Sequence, residues 1–139
     1  MYSPGAATDL QRRLEALSSP VRLVFFTQTF GCDTCLPARQ AADRIAALSE
    51  RVTVEEHNLV LDRDQVAEYG VEWAPALAIA GTQDVGIRYY GVPDGYEIVS
   101  LVDAVEIAGG DGPALSDETL DALDALDRDV HLRVFVTPT

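Results

Sequence analysis

Hydrophobic and polar residues follow two patterns along this chain, one typical of helices and one typical of strands. Leucines at positions 10, 14 and 17 recur at helical spacing among charged residues and predict an amphipathic helix over residues 8–17. The β-branched and aromatic residues 21–27 predict a buried strand. Residues 36–48 place alanine, isoleucine and leucine on one helical face, and Pro37 fits the first turn of that helix.

The alternation continues through the middle of the chain. Residues 52–58 predict a strand, residues 62–69 a helix closed by Gly70, and residues 71–79 another strand. A turn over residues 81–84 precedes a predicted strand at 86–90 and a closing helix at 97–108. Strands that alternate with helices in this way predict an α/β fold.

The last thirty residues form a separate segment. Glycines at 109, 110 and 112 predict a linker over residues 109–115, so residues 1–108 make up one unit. Ser116 can cap a helix over residues 117–126, and residues 130–136 predict a strand. This helix and strand, within residues 116–139, resemble the helix and strand that open the chain, so they predict the start of a second unit. Their uncovered apolar area predicts packing on the first unit or on another copy, and hence a homodimer.

Composition narrows the range of functions. The formal charge is −13, and all ten basic residues are arginine, which excludes the clustered cations of a nucleic-acid surface. No run approaches the roughly twenty apolar residues of a membrane span, and residues 1–8 lack the pattern of a leader peptide. We therefore expect a cytoplasmic protein with no nucleic-acid or membrane partner.

The two cysteines, Cys32 and Cys35, are the main chemical clue. Two cysteines exclude a scaffold with several disulfides and leave a structural zinc site half of its usual thiolates. They lie between a predicted strand and a predicted helix start, where the helix dipole stabilises a thiolate. Cys32 is then the nucleophile that forms a mixed disulfide, Cys35 resolves it, and no metal or organic cofactor is needed. The charge of Asp33 opposes thiolate formation and favours a reducing or intermediate potential.

Plainer interpretations remain open for several residues. The cysteines could be a structural pair or half of a metal or cluster site shared between subunits. Glu55 and Glu56 lie on one predicted strand, where alternation turns only one inward, and a solvated face is the simpler interpretation for both. His57 receives no catalytic role.

Three segments together carry a family resemblance. Residues 26–35 (FTQTFGCDTC), residues 71–76 (VEWAPA) and residues 87–97 (IRYYGVPDGYE) resemble the first active site, the cis-proline segment and the final strand and helix of glutaredoxin-like protein disulfide oxidoreductases. That family is related to the N-terminal domain of flavoprotein peroxiredoxin reductases. The resemblance covers nearly the whole chain and implies a thioredoxin-like three-layer α/β/α sandwich with a central mixed β-sheet.

The resemblance also implies roles for particular residues. Pro75 would be a cis-proline facing the disulfide, Ala74 its specificity neighbour and Trp73 part of the substrate groove. Gly31, Asp33 and Thr34, which flank the cysteines, are candidate tuning residues. Members of the family join two such units, and a second cysteine pair would follow residues 134–139.

The sequence therefore predicts a protein disulfide oxidoreductase that acts in cell redox homeostasis on protein disulfides and dithiols. A thioredoxin reductase-like protein is the candidate electron donor. The rival hypothesis is a noncatalytic thioredoxin-like domain that docks a partner or relays electrons within a larger redox system. Reactivity separates the two, because an oxidoreductase must keep an exposed, reactive thiol.

Overall fold

The computed structural model describes residues 4–137. Its regular elements are one π-helical turn at Ile107–Asp111, five α-helices and four β-strands: α1 (Pro4–Glu15), β1 (Val21–Thr27), α2 (Cys35–Ala46), β2 (Val52–Asn58), α3 (Arg63–Tyr69), β3 (Ala76–Ala80), β4 (Asp84–Tyr90), α4 (Tyr96–Glu106) and α5 (Asp117–Asp124). None of the helices in this range is long and apolar enough to cross a membrane.

The four strands form one mixed sheet in the order β2-β1-β3-β4. β1 pairs with β2 in parallel, whereas β3 is antiparallel to both β1 and β4. The predicted α/β fold with a central mixed sheet is confirmed. β1 and β2 end, β3 begins and β4 ends at the same edge of the sheet, which we call the redox edge because the chain runs from β1 into the cysteine segment there.

Alternating side chains of β1 supply two separate cores. Val21, Leu23 and Phe25 pack with α1, α2 and α4 on one face of the sheet. Val24 and Phe26 face the other way and pack with Tyr69 of α3 and the alanines of β3. Because residues on a strand alternate between its faces, a nearly all-apolar β1 can be buried on both sides. The three layers are therefore unequal, with three helices on one face and one short helix on the other.

Polar contacts join α1 to α4. The Arg13 guanidinium lies 2.5 Å from the Asp103 carboxylate and 2.6 Å from the Glu106 carboxylate. Directly after α1, the hydroxyls of Ser18 and Ser19 donate to the Gly109 carbonyl at 2.8 and 2.7 Å. These bonds satisfy a carbonyl at the end of α4 and fix the end of the first unit against its opening helix.

Two glycines allow close approach of the backbone at this end of the unit. A Cβ at Gly81 would lie 2.1 Å from the Ala108 carbonyl oxygen, and one at Gly109 would lie 2.7 Å from Leu17 Cδ2. The β3–β4 turn thus packs directly against the π-helical turn that follows α4. Ile107–Asp111 form a π-helical turn directly after α4, with non-helical backbone at Gly110, and Ala108 is buried in the core. The predicted linker over residues 109–115 and the division of the chain after residue 108 stay predictions.

The C-terminal segment differs most from the sequence predictions. α5 forms as predicted, and the Ser116 side chain accepts a hydrogen bond from the Thr119 amide at its start. None of the residues of α5 is buried, so α5 adds nothing to the core, and its packing on another copy stays a prediction. The strand predicted over residues 130–136 does not form within the described part of the chain, where these residues are exposed and irregular. A strand needs a partner for its amides and carbonyls, and apolar alternation alone does not supply one.

Candidate redox site at the edge of the sheet

Cys32 and Cys35 form a disulfide at the start of α2. Their Cα atoms are 5.4 Å apart, within the range for this bond. The helix itself begins at Cys35, and Cys32 lies in the preceding turn, where its carbonyl accepts a hydrogen bond from the Cys35 amide at 3.3 Å. The sequence predicted Cys32 at the N-terminus of this helix, whereas the structure places it in the turn before the helix. Cys35 is only 5% exposed, whereas Cys32 is half-buried, so one sulfur is the more accessible to a partner.

The segment between β1 and the cysteines is held by its own side chains. The side-chain amide of Gln28 donates hydrogen bonds to the backbone carbonyls of Phe30 and Gly31, at 2.9 and 3.3 Å. Gly31 has a φ of 70°, a left-handed conformation that glycine adopts without strain. The role of Gly31 is therefore conformational in this structure, because it turns the chain into Cys32.

Asn58, the last residue of β2, connects this segment to the neighbouring turn. Its side-chain amide donates to the Thr29 hydroxyl at 3.3 Å, and its side-chain oxygen accepts from the amides of Val60 and Leu61. Its own backbone amide donates to the Asp62 carboxylate at 2.6 Å. Sequence reasoning missed Asn58, although an asparagine at the end of a strand commonly bonds to the backbone two residues ahead.

The cis-proline segment lies at the same edge. The Ala74–Pro75 peptide bond is cis, as the resemblance implies. Ala76 pairs with Phe26 near the end of β1, so Pro75 follows the redox edge directly. The Pro75 carbonyl accepts a hydrogen bond from the Gly91 amide at 3.1 Å, and the half-exposed Trp73 ring packs 4.4 Å from the Tyr90 ring. The fold thus brings residues 31–35 and 73–75 to one edge, although about forty residues separate them in sequence.

The charged residues of β2 point to opposite faces of the sheet. Glu56 pairs with Arg39 of α2, which also bonds to Asp43 at 2.9 Å. Glu55 faces α3, and its hydrogen bonds with His57 and then with Arg22 lower its pKa below the ordinary value. Both glutamates thus have ionic partners of their own.

The remaining candidates are placed around the disulfide. Asp33 and Thr34 are exposed, and Thr34 is the residue that precedes α2 without a side-chain cap. Among residues 4–137, no group of three or more histidine, cysteine, aspartate or glutamate side chains could hold a metal ion. The Cys32–Cys35 disulfide is the redox-capable group among these residues.

Comparison with known proteins agrees with this geometry. No family model matches the chain. The N-terminal domain of alkylhydroperoxide reductase AhpF from Enterococcus faecalis has a TM-score of 0.82 at 23% identity, over 92% of this chain and 62% of that chain. A protein disulfide oxidoreductase from Aeropyrum pernix has a TM-score of 0.74 at 26% identity, over 89% of this chain and 55% of that chain. The chain thus spans a little over half of each structure.

Two further similarities extend the comparison. A mutant thioredoxin from Halobacterium salinarum has a TM-score of 0.51 at 20% identity, over 76% of this chain and 88% of that chain. A protein described as NADH dehydrogenase from Ferdinandcohnia aciditolerans is 27% identical over 96 residues, which are 68% of this chain and 16% of that protein.

The thioredoxin-like fold is therefore confirmed, and so is the resemblance to protein disulfide oxidoreductases on which it was predicted. The chain thus combines this fold with a Cys32–Cys35 disulfide at the start of α2.

Proposed function

We propose that this chain is a thioredoxin-like unit that reduces or forms disulfides in protein substrates through Cys32 and Cys35. The observation that carries the proposal is the unequal burial of the two sulfur-bearing residues at the start of α2. Cys32 is half-buried and accessible to a partner, whereas Cys35 is only 5% exposed. Cys35 is therefore shielded from a substrate but can attack Cys32.

In the reducing direction, the Cys32 thiolate attacks one sulfur of a substrate disulfide. A mixed disulfide forms, and the other substrate sulfur leaves as a thiolate. Cys35 then loses its proton and attacks Cys32, which releases the second substrate thiolate and closes the Cys32–Cys35 disulfide. Two electrons pass to the substrate in each cycle, and a reductant must return two electrons to the pair. The oxidising direction is the reverse of these steps.

Residues 73–75 supply the substrate side of this mechanism. An extended segment of a substrate protein would lie beside Pro75, with Ala74 next to the reacting sulfurs and Trp73 against the segment. The Gly91 amide already holds the Pro75 carbonyl, so the segment that meets the substrate is fixed before binding. The reactivity of Cys32 would be tuned by the residues around it in the turn. Gly31 would set the backbone conformation before Cys32, and Asp33 and Thr34 would follow it, with Asp33 adding a negative charge.

The wider setting follows from the proposed chemistry. A disulfide reductase consumes electrons, so a thioredoxin reductase-like protein is the proposed donor, and a cytoplasmic role in redox homeostasis suits a unit that works in reduced form. Residues 116–139 would begin a second thioredoxin-like unit after the linker. In the absence of such a unit, the exposed leucines of α5 would pair two copies of the chain.

The test is reduction of insulin disulfides with dithiothreitol as the electron source. The wild type should accelerate reduction, whereas both Cys32→Ser and Cys35→Ser should lose the activity. Cys35→Ser alone should accumulate a mixed disulfide with substrate, visible by mass spectrometry, because Cys32 can still attack. Ser49→Ala, which changes a buried hydroxyl far from the redox edge, serves as the control.

A wild type that is inert, with cysteines that dithiothreitol reduces, would contradict catalysis. That result would favour the rival function, a domain that docks a partner or relays electrons within a larger redox system.

A further inference from the structure

Large apolar side chains are exposed at the redox edge. Phe30 and Leu36, which flank the cysteine turn, are 86% and 68% exposed. Leu61, in the turn that Asn58 holds, is 78% exposed, and Trp73 beside the cis-proline is 53% exposed. Four exposed apolar residues, one in the first turn of α2 and three in loops, thus lie at the redox edge, which is typical of a binding surface. We call these four residues the apolar collar.

Acidic residues accompany the apolar collar. Asp33 lies between the cysteines, Glu72 directly precedes Trp73, and Asp94 lies in the loop that follows Gly91. All three are exposed. The Gly91 amide bonds to the Pro75 carbonyl, so the loop with Asp94 belongs to the same edge.

Positive charge is scarce at this edge. The chain has no lysine, and Arg39, in the second turn of α2, is paired with Asp43 and Glu56. Arg63, the first residue of α3, is the exposed arginine nearest to Leu61 in the chain. The loops at the redox edge thus carry three exposed carboxylates, and the whole chain has a formal charge of −13. Such a field attracts cationic partners and repels anionic ones.

We propose that the redox edge selects disulfides carried on basic, apolar segments of substrate proteins. The inference rests on the proposed function and names its substrate class. Aliphatic or aromatic residues next to the substrate cysteine would pack on the apolar collar, while lysine or arginine on either side would meet Asp33, Glu72 and Asp94. The apolar contacts supply affinity, and the charges speed the encounter and set the preference.

The experiment compares two disulfide-bonded peptides of the same length, each with leucine and phenylalanine beside the cysteine. One peptide carries three flanking lysines and the other carries three flanking glutamates. Reduction by the full chain, with dithiothreitol as the electron source and its uncatalysed rate subtracted, is measured as kcat/KM at low and high salt, relative to bis(2-hydroxyethyl) disulfide, which is small and neutral. We expect the basic peptide to be favoured about tenfold at low salt, with the two rates converging in 1 M salt, where the Debye length falls to about 3 Å.

Two variants with matched controls test the two parts of the surface. Glu72→Gln should lower the preference for the basic peptide two- to threefold, whereas Glu118→Gln, on the exposed face of α5, should leave it unchanged. Leu61→Ser should lower kcat/KM for the basic peptide about fivefold, whereas Leu132→Ser, at a position 84% exposed and distant in the chain, should not.

Equal rates for the two peptides, or a preference for the acidic one, would overturn this inference alone. Failure to reduce either peptide and the neutral disulfide would overturn the proposed function itself, and the inference with it. The two failures are distinguishable because the neutral disulfide needs neither the apolar collar nor the charges.

Discussion

Replacement of Gly81 by alanine should weaken the fold more than so small a change suggests. The added Cβ would lie 2.1 Å from the Ala108 carbonyl oxygen and 3.1 Å from its carbon, both of them backbone atoms. Van der Waals contact needs more than 3 Å, so the β3–β4 turn or the end of α4 must move by about 1 Å. Overpacking of this kind costs about 2–3 kcal/mol. For a domain of this size, that corresponds to a fall in Tm of about 10 °C.

The measurement is thermal unfolding of the oxidised proteins, followed by circular dichroism. Gly5→Ala is the matched control, because a Cβ there meets nothing within 4 Å and the residue lies in α1. Alanine favours a helix over glycine by up to about 1 kcal/mol, so this control should be neutral or slightly stabilising. A Tm for Gly81→Ala within 2 °C of the wild type would refute the reasoning, since it would mean that the turn and α4 separate at little cost.

Three further results are expected. Leu14→Ala removes a fully buried side chain and should cost about 3 kcal/mol in denaturant unfolding, whereas Leu132→Ala, at an exposed position, should cost almost nothing. The Arg88 guanidinium holds the pKa of Asp84 below its ordinary value, so the pair stabilises the fold above the unfolded pKa of the carboxyl and loses that effect as pH falls through the lower folded pKa. Asp84→Asn should therefore lower stability at pH 7 and have a smaller effect in acid; a deficit that does not shrink as the pH falls below the ordinary pKa of the carboxyl would contradict this. Deletion of residues 114–139 should leave Tm and insulin reduction unchanged, because α5 has no buried residue, and a lower Tm would show that this segment supports the first unit.

Periodicity predicted most of the elements because burial itself is periodic. β1 was found in full, since a strand buried on both faces has an uninterrupted apolar run. β3 is shorter than its predicted run over residues 71–79, because residues 71–75 form the loop that contains the cis bond. Apolar composition does not distinguish such a loop from a strand.

Other features depend on contacts that a single sequence does not encode. The bond from Asn58 to Thr29 joins residues 29 positions apart, and it exists only because β1 and β2 pair in register. The strand predicted over residues 130–136 has the right composition, but no neighbouring strand completes it in the described structure. The cysteine pair was predictable because its spacing and its place before a helix are local features.

The unequal helical layers have a consequence for local motion at the redox edge. The cysteine turn leads into α2, which is backed by the large core shared with α1 and α4. The turn of residues 59–62 leads into the seven-residue α3, whose one buried residue is Tyr69. Segments with few buried contacts open at lower free energy than the molecule as a whole, so amide hydrogens of α3 should exchange with solvent sooner than those of α4. The two turns at the redox edge would then differ in stiffness, since the cysteine turn rests on a large core and the turn of residues 59–62 does not.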